Sequence, residues 1–106
     1  MAKTIKIKRY KRMDNPISQS KGLMFSKRVE LPLIFVFRKD VRHSFHSLFC
    51  PAFDIVFLNK DNETVYCEEV RAAKKISPKT GYRYAVEAPP GFIKKNGIRK
   101  KTNIQF

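Results

Sequence analysis

Three observations predict a mainly β chain: an antiparallel β-sandwich or barrel-like, jelly-roll-like domain with one or two short helices. The apolar runs LPLIFVF (Leu31–Phe37) and FDIVFL (Phe53–Leu58) have strand length and are rich in aromatic and β-branched residues. Turn signals recur at short spacing, at Asn59–Glu63, Ser77–Gly81 and Pro89–Gly91. No long helical period occurs anywhere, and 106 residues suffice for one core, so residues 1–106 read as a single domain.

The elements follow in order. Ile5 and Ile7 alternate with Lys6 and Lys8, the pattern of a strand with one buried face and a basic outer face that Tyr10 extends. Asp14-Asn15-Pro16 is a helix-start signal, predicting a short helix from Pro16 to about Met24. Leu31–Phe37 is a central strand. His43–Phe49 and Phe53–Leu58 read as two more, separated by Pro51, and Thr64–Val70 completes a hairpin with the latter. If Leu58 faces Thr64, Cys67 falls opposite Ile55. Cys50 then lies roughly 17 Å away at ~3.3 Å per residue, beyond the ~7 Å Cα separation that a disulfide tolerates. Two free thiols are expected. Tyr82–Ala88 alternates Tyr82, Tyr84 and Val86, read as one packed face, against Arg83, Ala85 and Glu87. Pro89-Pro90-Gly91 ends that strand, FIKKNG fits a helical turn stopped by Asn96-Gly97, and a last strand spans about Thr102 to Phe106.

Three segments, GLMF (Gly22–Phe25), FDIVFL (Phe53–Leu58) and YAVEAPPGFIKKNGI (Tyr84–Ile98), together resemble the small bacterial and archaeal proteins of domain-of-unknown-function family 192. The resemblance runs over roughly residues 3 to 106. It implies a compact antiparallel sandwich with short helices at its edge, and it brings no reaction. The chain departs from the family pattern in two places. FHSLFCPAF stands where many members carry a Trp-Met-Lys-Asn-Thr type segment, and Arg99-Lys100-Lys101 stands in place of a Gly-Asp near the end.

Charge is the strongest functional signal. The formal net charge is +14, and it is concentrated at the two ends. Residues 1–12 carry six basic side chains and no acid, residues 71–106 carry ten against Glu87, and the stretch between is nearly neutral. Such a field attracts polyanions. Lys6, Lys8, Arg9, Lys11 and Arg12 at one end, and Lys94, Lys95, Arg99, Lys100 and Lys101 at the other, are the anion-binding candidates. If the terminal strands are neighbours, the two groups merge into one patch able to contact phosphates. The competing explanation is a Lys-rich surface that serves solubility or heat resistance.

The stretch HSFHSLFCPAFD (His43–Asp54) gathers both histidines, a cysteine and an aspartate. On a strand His43 and His46 point to opposite faces, and His46 and Cys50 lie roughly 13 Å apart, so they do not make a metal site. A chain reversal near Pro51 would let His46 meet Asp54 as a proton-transfer pair. The reading kept is structural: aromatics packing, with Asp54 accepting hydrogen bonds from a loop or pairing with a cation.

No Walker loop, dinucleotide glycine fingerprint, CxxC, HExxH or GxSxG occurs, which argues against an enzyme, and no cofactor is implied. Lys79–Val86 is only weakly similar to the RNA-recognition strand, with Arg83 at a small-residue position. MAKTIKIKRYKRM lacks the apolar stretch of a signal peptide, and no run approaches a membrane span, so a cytoplasmic location is expected. The function read from the sequence is non-catalytic binding of an anionic partner, RNA or a ribonucleoprotein in first place. The alternative is a small-molecule or hydrolytic site near His46 and Asp54.

Overall fold

The computed structural model describes residues 3–13, 29, 31–47 and 50–106. The helix expected over 16–24 lies outside these residues, as does the GLMF segment. A five-stranded sheet forms the centre. Its strands are β2 (Lys11–Met13), β3 (Leu33–Val41), β5 (Phe53–Leu58), β6 (Thr64–Val70) and β8 (Tyr82–Ala88), in the order β2-β3-β8-β5-β6. Two short ribbons flank it: β1 (Thr4–Lys6) with β9 (Asn103–Gln105), and β4 (Phe45–His46) with β7 (Lys75–Ile76). One short helix, α1, spans Phe92–Asn96. The fold is mainly β, as expected, and the described strands do not close into a barrel. Among the described residues, no helix is long and apolar enough to cross a membrane.

Every residue of β5 is buried, because β5 lies inside the sheet and both sheet faces are covered. Phe53, Ile55 and Phe57 point toward one cluster with Leu33, Phe35, Val70 and Ile76 of β7. Val56 and Leu58 point the other way, to Ile34, Val86, Ala88 and Ile104 of β9, with Phe92 and Ile93 of α1 packed alongside. The result is three layers: the β4/β7 ribbon, the sheet, and the β1/β9 ribbon with α1.

The central ladders β3/β8, β8/β5 and β5/β6 are antiparallel, whereas β1/β9 and β2/β3 are parallel. Parallel pairing needs a long connection back to the same end of the sheet. Hydrophobic alternation within one strand carries no information about it.

Two register shifts revise the sequence-based faces. In β3, Val36 pairs with Tyr84 and Val41 with Tyr82, so residues 37–40 stand against Arg83 alone. This irregularity turns Tyr82 to the opposite side of the sheet from Tyr84 and Val86, and the three do not form one packed face. The Tyr82 hydroxyl donates to the His43 carbonyl at 2.6 Å. In the β5/β6 hairpin Leu58 does face Thr64, but Tyr66 faces Phe57, leaving Val65 extra. Cys67 therefore lies opposite Val56, one place from the expected Ile55. Both cysteines are free, and they pack on opposite sheet faces.

The expected strand over His43–Phe49 shortens to Phe45–His46, because its partner β7 offers only two residues; Leu48 and Phe49 lie outside the described residues. Helix α1 matches its motif closely. Gly97, at φ 60°, closes it with Ile98 N–H donating to the Ile93 carbonyl at 3.0 Å and Gly97 N–H to the Lys94 carbonyl at 3.3 Å.

Candidate functional site

The two basic ends of the chain meet. Lys6 stands opposite Gln105 and Thr4 opposite Asn103 in the parallel ribbon. The backbone closes around them: Asn103 N–H donates to the Lys3 carbonyl, and Ile7 N–H to the Gln105 carbonyl, both at 2.8 Å. Lys3 Nζ donates to the Asn96 carbonyl at 2.6 Å, a cation at the negative end of α1. The N-terminal strand is thereby held against the helix that carries Lys94 and Lys95.

The turn after α1 is firmly built. Arg99 N–H donates to Thr102 Oγ1 at 3.0 Å, Lys101 N–H to the Thr64 carbonyl at 2.8 Å, and Thr64 Oγ1 to the Thr102 carbonyl at 2.8 Å. Lys101 adopts φ 75°, and Thr102 is buried beneath it. This frame projects Arg99, Lys100 and Lys101 outward, all exposed. Lys6, Lys8, Arg9, Lys11, Arg12, Lys94 and Lys95 are exposed too. Lys8, Arg9, Lys11 and Arg12 run on from the ribbon toward β2, where Lys11 N–H donates to the Pro32 carbonyl. Tyr10 departs from the outward face expected for it: the chain bends at Arg9, and the ring packs edge-on against Phe106 at 5.7 Å.

Several acids pair with cations, and one of these cations is Lys94 of α1. Arg71 Nη2 lies 2.8 Å from Asp54 Oδ1 and 3.2 Å from Glu69, Lys74 pairs with Glu68, and Lys94 sits 3.9 Å from Glu69. Asp61 and Glu63 flank the far edge of β9, through Asn103 Nδ2 donating to the Asp61 carbonyl and a bridge from Glu63 to Asn103. The same segment backs the basic turn, since Thr64, next to Glu63, accepts from the Lys101 N–H.

In the His43–Asp54 stretch, Asp54 is fully buried on the α1 side of the sheet. Its Oδ1 accepts from Arg71, and its Oδ2 accepts the Ile93 N–H at 2.9 Å. Gly91, at the helix start, has no side chain to cap α1, so Asp54 supplies the acceptor from β5. The expected cation is Arg71, while the backbone donor comes from the first turn of α1 and not from a loop; together they offset the cost of burying the carboxylate. His46 is exposed on β4 opposite Lys75 and is not among the partners of Asp54. The His43 ring lies 5.8 Å from Phe37. Among the described residues no cluster of three metal-ligating side chains occurs.

Sequence reasoning missed Glu87. Alternation sets it on the face of Arg83 and Ala85 and singles out no role for it, but β8 lies between β3 and β5, and Glu87 is 3% exposed between Leu33 and Ile55. Its Oε1 has no hydrogen-bond partner, and burial pushes the carboxyl up to about 8. The thiol of Cys50 is raised in turn, first by burial and then by the charge of Glu87. Cys50 lines a cleft of about 250 Å³ with Ser47, Pro51, Val70, Arg71 and Ala72.

The family model DUF192, described as "Uncharacterized ACR, COG1430", matches residues 2–106. The chain belongs to this family. The UPF0127 protein of Pyrococcus furiosus is 35% identical over 95 residues, covering 88% of this chain and 82% of that protein. The UPF0127 protein of Thermococcus sibiricus is 31% identical over 88 residues, covering 80% of this chain; the match spans 57% of that longer relative. A crystal structure of a protein of unknown function from Novosphingobium aromaticivorans superposes with a TM-score of 0.79 at 19% identity, over 88% of this chain and 71% of the other. The DUF192 fold is therefore shared even where few residues are.

Proposed function

We propose that this DUF192 chain is a non-catalytic binding module for an anionic polymer, RNA or a ribonucleoprotein in first place, acting in the cytoplasm. The observation that carries the reading is the parallel pairing of β1 with β9, which sets the N-terminal strand with its Lys6 beside the C-terminal strand that follows Arg99, Lys100 and Lys101. Lys6 on the ribbon, Lys94 and Lys95 on α1, and Arg99, Lys100 and Lys101 on the turn are all exposed, and in this reading they act together on the phosphates. Lys8, Arg9, Lys11 and Arg12 extend the group toward β2.

Phosphate neutralisation by these cations releases counterions, so affinity falls with salt by a slope of about 0.7 to 0.9 per phosphate contacted. The test is anisotropy of labelled short RNA and DNA across a salt series. Saturable binding near physiological salt with a preference for RNA is expected, and Lys100→Glu/Lys101→Glu should weaken it and flatten the slope. Binding that vanishes by that salt, without preference, would refute the reading and leave the charge to solubility.

A second reading, a small-molecule site, is favoured by the cleft beside Cys50, with the unpartnered Glu87 Oε1 in the adjoining core. Its walls connect to both sequence candidates, since Ser47 follows His46 and Arg71 holds Asp54. A cleft-filling Ala72→Phe would abolish such binding while leaving salt-dependent polyanion binding intact.

A further inference from the structure

Three aromatic rings meet at the end of the basic ribbon. Phe106 contacts Tyr10 with centroids 5.7 Å apart and Tyr84 at 5.2 Å, with interplanar angles of 79° and 75°. Both contacts are edge-on, so each covers a single ring face with the partner's edge and leaves the other faces outside the trio's own contacts. All three rings are half-buried at the margin of the second core cluster. Tyr82 offers a contrast: it is fully buried, and its hydroxyl is bonded to a carbonyl. The hydroxyls of Tyr10 and Tyr84 make no protein hydrogen bond among the described residues.

The surroundings of the trio are cationic. Lys6 is paired with Gln105, next to Phe106, and Lys8, Arg9 and Lys11 bracket Tyr10; all four are exposed. Partly exposed aromatic rings beside a row of cations suit a strand whose phosphates follow the cations while an unpaired base lies on a ring. A duplex keeps its base faces stacked inside and cannot make that contact.

We infer that Tyr10, Tyr84 and Phe106 form a stacking platform, so that the polymer bound is single-stranded nucleic acid. This rests on the polyanion reading above and adds the class of ligand. One or two bases stack on the rings, while Lys6, Lys8, Arg9 and Lys11 hold the flanking phosphates. Binding should then have two separable parts: a salt-dependent part from the cations and a salt-independent part from the rings.

The experiment uses the full chain with labelled U12, dT12 and a 12-base-pair duplex of each type across a salt series. U12 and dT12 should bind more tightly than either duplex. Tyr10→Leu and Phe106→Leu, which keep apolar packing, should each weaken U12 binding about 10-fold while leaving the salt slope and duplex affinity unchanged. Should either variant fail to fold, photocrosslinking of 5-iodouracil-substituted U12 to the parent protein replaces it, with adducts expected on Tyr10, Tyr84 or Phe106. Duplexes bound as tightly as U12, ring variants that are folded but unaffected, or adducts confined to other residues would overturn the platform and leave polyanion binding standing. Absence of saturable binding to every probe at near-physiological salt would overturn both.

Discussion

Replacing Glu87 with glutamine should change how stability depends on pH. The carboxyl is buried between Leu33 and Ile55 and pushed up to about 8 from an ordinary 4.5. Between those values the unfolded chain has lost its proton and the folded chain keeps it, so unfolding releases one proton and stability falls as pH rises. The contribution of this group is complete below pH 4.5 and is lost as pH climbs through about 8. About 1.4 kcal/mol per pH unit over three and a half units amounts to on the order of 5 kcal/mol, a large share of the 5–15 kcal/mol typical of a domain. Glu87→Gln cannot ionise. Its buried amide shifts stability by a constant, but the difference between variant and parent should move in favour of the variant by on the order of 3 kcal/mol between pH 5 and pH 7.5. Urea denaturation followed by far-UV circular dichroism at several pH values measures this. Parallel curves for the two proteins would refute the argument and mean that Glu87 ionises freely in the fold.

Asp54→Ala removes the acceptor of both Arg71 and the Ile93 N–H, and should cost about 3 kcal/mol. Amide exchange at Ile93 should quicken as α1 loosens, and an unchanged exchange rate would separate the carboxylate from the helix. Gly97→Ala places a side chain at φ 60°, costing about 1 kcal/mol in the urea midpoint. The new Cβ would meet only the flexible end of Lys3, at 3.3 Å, so a much larger loss would contradict a purely conformational cost. Burial raises both thiols, so Cys50 and Cys67 should react with a disulfide reagent at pH 7 more slowly in the folded protein than in urea. Equal rates would show that neither thiol is shielded.

Much of this fold was legible because local signals suffice for its central parts. β5 is six residues of almost unbroken apolar sequence, and α1 is bounded by glycines that its geometry requires. Asp54 was read correctly for the same reason: a lone carboxylate in an apolar strand must find partners, and Arg71 and Ile93 supply them. The misses share a cause. Tyr82 and Cys67 were displaced by register shifts in β3 and β6, which depend on the partner strand. The burial of Glu87 was not legible because alternation names two faces without saying whether both are covered. The edge strands β2 and β7, of three and two residues, exist through their partners and have no periodicity of their own. His46 was judged by its neighbours in sequence, while its place is decided by β7.

The β1/β9 ribbon also has a mechanical consequence. Its strands run parallel, so tension applied before Thr4 and beyond Gln105 pulls them along their length in opposite directions. The cross-ribbon hydrogen bonds, Asn103 N–H to Lys3 and Ile7 N–H to Gln105 among them, then carry the load together and cannot open one at a time like a zipper. Rupture under force is governed by the unfolding rate, and a sheared ribbon sets a high barrier. The ribbon that joins the two ends of the chain is thus also what would resist its extension.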